Sequence, residues 1–286
     1  CFGKKDTLLA LKSAGHEVIL FMHNDYQKRN SNEFDSYFKQ FISDTHYDCC
    51  FSFNFYPVLS KNCQKYNIKY ISVVYDNPYA MLYSYTLINP VNYVFLFDSQ
   101  EYLKLRKGGI TTVYYIPLPA SIKDPVRLQN TPLFSDKFSA ELSFVGSLYH
   151  EDHNFFDRLK GINEYTTGYL NAIMDAQLKI HGYNFIEELL TLDITNELKR
   201  MIPYDSDADG VETPEYIFAN YFINRKLTSI ERKKLLTVAA TAAPLKLYTL
   251  DQTVTIPNTQ NLGTVDYYSE MPYVFANSKI NLNISL

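Results

Sequence analysis

The chain has 286 residues, 46% hydrophobic and 20% charged, with a formal net charge of -4. That is ample apolar material for packed cores over a length that suits two domains, and the acidic balance lacks the basic footprint a nucleic-acid partner needs. No apolar run is long enough to span a membrane, and no signal peptide opens the sequence.

The residues from Lys5 to Ala14 form a short amphipathic pattern closed by Gly15, a C′ glycine. His16 to Met22 (HEVILFM) reads as a buried strand. From Asn32, apolar residues recur at Phe34, Tyr37, Phe38, Phe41 and Ile42, one buried face of a helix with Ser31 as its cap. Tyr47 to Asn54 is the next strand, and Pro57 to Tyr66 the next helix. Ile68 to Pro78 (IKYISVVYDNP) is a β-branched run that stops at an Asp-Asn-Pro turn; it suits a parallel strand covered on both faces. Asn92 to Phe97 is another apolar strand, followed by Asp98-Ser99 and a helix ending at Gly108-Gly109. Thr112 to Ile116 is a further strand. Strand and helix thus alternate as in βαβ units. Leu118 to Phe138 carries Pro119, Pro125 and Pro132 and reads as a linker.

A second αβ unit begins at the strand Glu141 to Val145, which runs into Gly146-Ser147. A helical tract spans Asn154 to Met201, with breaks expected at Gly161 and Gly182. Thr213-Pro214-Glu215 starts a helix ending at Arg225-Lys226, and Thr228 with Glu231 forms a capping box for another. After Pro244, Leu245 to Leu250 returns to the sheet, Gly263 to Tyr268 is a loop, Ser269 to Asn277 a short helix, and Lys279 onward a strand. The expected architecture is α/β, with two Rossmann-like domains (1–120 and 140–286, joined by a linker at 121–139) facing each other across a cleft. The second is incomplete and holds a large helical segment. The sequence begins at Cys1 without a complete first strand and stops at Leu286 inside KINLNISL, so it reads as a fragment.

The four cysteines, Cys1, Cys49, Cys50 and Cys63, contain no C-x-x-C pair and read as buried reduced thiols, which points to a cytoplasmic protein. There are 25 Tyr and 19 Phe but no Trp; tyrosines suit half-buried positions, or stacking on sugars and bases. No G-x-G-x-x-G or Walker loop is present, so nicotinamide, flavin and P-loop chemistry have no support. Gly146-Ser147 is either a tight turn or, where a helix start offers unpaired N–H groups, an anion site. DSDADG (Asp205 to Gly210) matches half of a calcium loop, but Tyr216 stands where a bidentate Glu belongs, so it reads as a solvated acidic loop. His150 and His153 lack partners for a metal site. Asp25, Asp76 and Asp98 each follow a strand and serve either as proton acceptors or as turn and helix caps. Arg225-Lys226 either complements a helix C-terminus or clamps a diphosphate.

Together FSFNFYPVLSKNCQKYNIKYISVVYDNPY, NYVFLFD, YYIPLPA, LSFVGSLY and GTVDYYSEMPYVFANSKINLNISL resemble the CgeB-like spore-maturation proteins and related bacterial glycosyltransferase-like proteins. The resemblance runs from Tyr47 to the end and is patchy between Glu151 and Asp209. It implies a GT-B glycosyltransferase that moves a sugar from a nucleotide-sugar to a glycan or protein hydroxyl, with no further cofactor and no metal. By position it puts Gly146, Ser147 and Tyr149 near the donor's phosphates and the loop from Gly263 through Tyr267 to Tyr268 near its base. Asp76 would lie on the acceptor side as the catalytic base, and Arg225 is the expected diphosphate clamp. Val73 departs from the Trp expected in many relatives, and the family's glycine-rich acidic donor segment would follow Leu286. Two other classes stay open: a nucleotide-sugar epimerase or hydrolase, and a non-catalytic carbohydrate-binding or assembly protein on the same fold.

Overall fold

A computed structural model of the chain describes residues 3–119, 137–150 and 154–284. Most of the expected linker, and His153, lie outside the described residues. The chain forms two compact units, the first made of Cys1–Ser121 and Asp205–Thr213 and the second of Ile122–Tyr204 and Pro214–Leu286. It is an α/β protein with two four-stranded parallel sheets, consistent with a Rossmann-like fold.

Unit 1 opens with α1 (Lys4–Ser13), after which Gly15 turns the chain at φ +88°. In α2 (Asn32–Phe41) the Ser31 Oγ accepts from Phe34 N at 3.1 Å, and the apolar stripe buries Phe34 and Phe38. Then follow β1 (Cys49–Phe53), α3 (Pro57–Tyr66), β2 (Lys69–Val74), β3 (Asn92–Leu96), α4 (Ser99–Lys107) and β4 (Val113–Tyr115). Pro57 fits the first turn of α3, and Asn67 ends it in the left-handed region.

The strand order is β1-β2-β3-β4. Right-handed crossovers between strands that advance in one direction put every connection on the same face. That face is closed: Tyr70, Ser72 and Val74 of β2 and Asn92, Val94 and Leu96 of β3 are all buried. On the other face Phe51 and Tyr93 are each 36% exposed and Tyr114 40%. The expectation of cover on both faces is thus corrected. Rings pack on rings there instead, Tyr93 stacking on Tyr114 with centroids 6.1 Å apart and Phe53 meeting Tyr75 edge-on at 5.1 Å.

Three further expectations change in this unit. His16–Met22 is not a strand: Ile19, Leu20 and Met22 are 49%, 52% and 75% exposed, and only Phe21 reaches the core, against Phe34, Phe38 and Phe41. A strand needs a ladder partner, and β1 pairs only with β2 among the described residues. Cys49 is exposed and Cys50 half-buried, leaving Cys63 as the buried thiol among the described residues, and Cys1 lies outside them. The acidic loop is solvated from Asp205 to Ala208, as expected, but its end is docked. Gly210 bridges Ser84, Tyr85 N donates to Asp209 O at 3.0 Å, and Glu212 is buried against Arg29.

Unit 2 contains β5 (Ala140–Val145), α5 (Glu164–Gln177), α6 (Ile186–Leu189), α7 (Leu192–Met201), α8 (Pro214–Ile217), α9 (Asn224–Ala242), β6 (Leu245–Tyr248), β7 (Thr259–Asn261), α10 (Met271–Asn277) and β8 (Ser278–Leu282). Gly161 and Gly182, at φ +84° and +83°, break the helical tract where expected. Its core joins Leu170, Ile173, Ile186, Ile194 and Leu198 to Phe218, Ile223 and Leu227. A π-helical stretch, Phe218–Ile223, leads from α8 directly into α9. Arg225-Lys226 therefore does not end a helix, and Thr228 is no cap: its hydroxyl bonds back to Asn224 O at 2.8 Å inside α9. The sheet order is β7-β6-β5-β8. Sheet growth runs from β5 through β6 to β7 and then reverses to the far side of β5, which makes the end of β5 border a topological switch point. Among the described residues, no helix is long and apolar enough to cross a membrane.

Candidate functional site

In an open parallel sheet, backbone groups at the carboxyl ends of strands point out of the ladder, and ligands collect where the strand order reverses. Unit 2 has a cavity of about 230 Å³ there. Val145, Gly146 and Ser147 line it from the end of β5, Tyr248, Thr249 and Leu250 from the end of β6, and Thr264 and Val265 from the loop after β7. Two segments singled out in the sequence, Gly146-Ser147 and the loop from Gly263, are thus brought together. Tyr149, Arg225, Gly263 and Tyr267 are not among the lining residues.

Gly146 has φ +156°, which L side chains rarely adopt, and its N–H donates to Tyr248 O at 3.1 Å, extending the β5–β6 ladder by one bond. The Ser147 hydroxyl accepts from Tyr149 N at 2.9 Å, closing a tight turn that holds Tyr149 at φ +54°. No helix begins here among the described residues: α5 starts only at Glu164. Among the described residues, the first helical turn after Gly146-Ser147 is a 3-10 turn at Phe155–Arg158.

Sequence reasoning passed over Arg232, in the middle of α9. Its Nη1 donates to Ser147 O, its Nε donates to Ile284 O at 2.9 Å, and its guanidinium lies over the Tyr149 ring at 5.0 Å. It pins the turn under the cavity. Arg225 lies instead against the Phe155 and Tyr221 rings, 5.7 and 5.5 Å from their centroids, and Lys226 pairs with Asp157 at 2.6 Å.

Three polar side chains buried at or next to the end of β6 are incompletely paired. Tyr248, Thr249 and Asp251 are 3%, 1% and 6% exposed, and Tyr248 Oη, Thr249 Oγ1 and Asp251 Oδ2 have no hydrogen-bond partner. Burial, then the Glu270 carboxylate, pushes the Tyr248 phenol up, so it stays a neutral donor. Burial works to raise Asp251 as well, but the Thr253 hydroxyl and amide, both at 2.7 Å from Oδ1, and nearby His150 outweigh it and leave the carboxyl below its ordinary value. No sequence motif marks these residues; their meeting with Gly146 depends on β5 pairing with β6.

The loop from Gly263 to Tyr268 is held by Asp266, whose Oδ1 accepts from Ser269 N at 2.7 Å, while its N–H donates to Glu270 Oε2 at 3.1 Å. Tyr267 is half-buried, its ring meeting Tyr268 edge-on at 4.9 Å. Gly263 turns the chain at φ +79°.

In unit 1, Asp76 is exposed at the end of β2. Asn54, at the end of β1, donates from Nδ2 to Asp76 Oδ2 at 2.7 Å, and its Oδ1 accepts from Tyr75 N and Asp76 N at 2.9 and 3.2 Å. Asn77 donates to Asp98 Oδ2 at 2.5 Å, and Asp98 Oδ1 caps α4 through Gln100 N and Glu101 N at 2.7 and 2.9 Å. Asp98 is a helix cap. Asp25 is likewise structural, held below its ordinary value by Lys28 and then Ser31. Asp76 keeps one carboxylate oxygen, Oδ1, outside these bonds. Among the described residues no group of three or more His, Cys, Asp or Glu is arranged to hold a metal.

Comparison of the chain with protein-family models, with curated proteins and with solved structures found no match.

Proposed function

We propose that the chain is a glycosyltransferase of the GT-B type, binding a nucleotide-sugar in unit 2 and transferring its sugar to a hydroxyl of a glycan or protein. The observation that carries this reading is the cavity at the carboxyl ends of β5 and β6, beside the reversal of strand order, where Gly146, Ser147, Thr264 and Val265 meet. The order 3-2-1-4 of this sheet, counted from β5, is the nucleotide-binding arrangement of doubly wound folds.

In the reaction the acceptor oxygen attacks the anomeric carbon. The bond from that carbon to the diphosphate oxygen breaks, and the nucleoside diphosphate leaves with the electron pair. Asp76 is the residue assigned to take the acceptor's proton, with Asn54 orienting its carboxylate. Tyr149 and Tyr267 remain assigned to the donor's surroundings by the family resemblance alone, and Arg225 by the match of its guanidinium to a diphosphate. No metal or organic cofactor enters this scheme.

A second reading rests on the cavity's lining, in which no carboxylate or imidazole stands among the described residues. That suits a protein that binds a nucleotide-sugar or glycan without transforming it. The test is release of nucleoside diphosphate from a panel of nucleotide-sugars, followed with and without glycan acceptors. Acceptor-dependent release supports transfer, release with free sugar supports a hydrolase, and binding without release supports the non-catalytic reading. Neither binding nor release of any donor overturns all three.

A further inference from the structure

The segment Asp205–Thr213 lies in the sequence between α7 and α8 of unit 2, yet it belongs to unit 1. It buries no apolar side chain: Ala208 is exposed, Val211 is 43% exposed, and Glu212 alone among its residues is buried. What holds its end is polar. Gly210 bridges Ser84, Val211 N donates to Tyr83 O at 2.9 Å, Tyr85 N donates to Asp209 O at 3.0 Å, and the Ser84 hydroxyl donates to Asp209 Oδ2 at 2.9 Å.

The half calcium loop in DSDADG has an arginine of the same chain among its acids. Arg29 Nε lies 3.5 Å from Asp207 Oδ2 and 3.8 Å from Asp209 Oδ1, and Nη2 lies 2.9 Å from Glu212 Oε2. The same guanidinium grips the Ala80 and Tyr83 carbonyls of the turn after β2, which carries Asp76. A segment fastened by ion pairs and hydrogen bonds, with no apolar side chain packed away, opens at lower cost than the core around Tyr70 and Val94, both 0% exposed.

We infer that Asp205–Thr213 is a detachable strap, clasped by Arg29, that holds the turn bearing Asp76. Undocking exchanges its polar contacts for water and leaves the core of unit 1 closed. It takes Val211 from Tyr83 O and Glu212 from Arg29, so the turn loosens and the Asn54–Asp76 bond at its start changes geometry. The bearing of this strap on sugar transfer rests on the role proposed above for Asp76; the strap itself does not. Gly210 offers a lever on the clasp. A Cβ there would stand 2.7 Å from Glu212 Oε2 and 3.0 Å from Oε1, at a carboxylate that Arg29 fixes. Gly210→Ala therefore drives the carboxylate off the guanidinium without altering any charge.

Amide hydrogen exchange of the chain tests this. Tyr70 N and Val94 N donate to Val91 O and Thr112 O at 2.8 and 2.9 Å and report the core. In the unaltered chain, Tyr85 and Val211 are expected to exchange at least about 100-fold faster than these two. Raising urea to about 1 M should change the Tyr85 and Val211 rates less than about twofold, because the opening exposes little surface. Gly210→Ala should speed Tyr85 and Val211 about 10-fold, keep Tyr70 and Val94 at least about 100-fold slower, and shift the side-chain amide resonance of Asn54. Exchange of all these amides at one rate with one urea dependence overturns the inference, since the segment is then part of the cooperative core; the unaltered chain shows this whether or not the variant folds. An unchanged rate at Tyr85 and Val211 in a folded Gly210→Ala overturns the clasp. An Asn54 resonance that stays in place while the strap amides speed up overturns the hold on the Asp76 turn. No sugar donor or acceptor enters these measurements, so the glycosyltransferase reading stands or falls separately.

Discussion

Arg29 and Glu212, 183 positions apart, form a buried ion pair in unit 1: Nη2 lies 2.9 Å from Oε2, and each side chain is 5% exposed. The guanidinium also donates to Tyr83 O and Ala80 O at 3.0 and 3.2 Å, so one arginine ties together the segment before α2, the turn after β2 and the acidic segment Asp205–Thr213. Removing Glu212 takes the nearest carboxylate from a buried guanidinium and leaves it the longer contacts to Asp207 and Asp209, at 3.5 and 3.8 Å. Glu212→Leu should destabilise unit 1 by about 3–5 kcal/mol in urea unfolding, and Arg29→Met with Glu212→Leu should recover most of that loss. A single-variant loss below about 1 kcal/mol would contradict a desolvated pair.

Two tyrosines provide a matched comparison. Tyr70 Oη accepts from Tyr56 N at 3.0 Å and pairs with Ser52 Oγ at 2.7 Å in a fully buried setting, whereas Tyr248 Oη has no partner. Tyr70→Phe should cost about 1–3 kcal/mol because it strands a buried amide, while Tyr248→Phe should leave stability within about 0.5 kcal/mol or raise it. Equal losses in the two variants, measured by denaturant unfolding, would mean that the Tyr248 hydroxyl has a protein partner.

Gly146 sits at φ +156° with Phe144 Cζ 3.4 Å from where a Cβ would stand. Contact distance is ordinary, so the strain of Gly146→Ala is backbone strain, of order 1–3 kcal/mol. The variant should lower the thermal midpoint and weaken nucleotide-sugar binding together, whereas an unchanged midpoint would show that the turn relaxes freely.

Acid should weaken unit 2 through carboxylates held below their ordinary values. Arg200, then the Asn163 amide, lowers Glu197 from 4.5 to about 2, and Ser269 lowers Asp266; Lys137, then the Asp266 amide, lowers Glu270. A carboxyl with a depressed folded-state pKa contributes stability above its unfolded value and loses it as pH falls toward the folded one. Stability followed by circular dichroism should therefore be flat above about pH 5 and decline from there toward pH 2, and Glu197→Gln should flatten part of that slope. Asp266 is exposed and the two glutamates are half-buried, and salt will shrink the effect.

Asp76→Asn keeps an oxygen for the Asn54 Nδ2 bond and removes the proton acceptor. The glycosyltransferase reading expects acceptor-dependent turnover to fall about 10²–10⁴-fold, with donor affinity and thermal midpoint unchanged. Full turnover in Asp76→Asn would take the catalytic role away from this residue.

Local signals made much of the fold legible. Pro57 starting α3, Asp98 capping α4, and Gly161 and Gly182 breaking the helical tract all act within a few residues of their own position. HEVILFM was misleading because an apolar run specifies a strand only when a neighbouring edge pairs with it. The acidic segment resisted reading because Arg29, which draws it in, is distant in sequence. At the cavity, Gly146-Ser147 stood out by its place after a strand, and the loop at Gly263 by family resemblance. Thr249, Asp251 and Arg232 carry no motif, and only the pairing of β5 with β6 and the course of α9 bring them to the turn.

The most direct test of the donor site is a backbone amide chemical-shift titration of the chain with the nucleotide-sugar that binds best. The account predicts saturable shifts concentrated at Gly146, Ser147, Thr249, Leu250, Thr264 and Val265, the residues around the cavity. Saturable shifts confined to other residues, or none with any nucleotide-sugar, would contradict it.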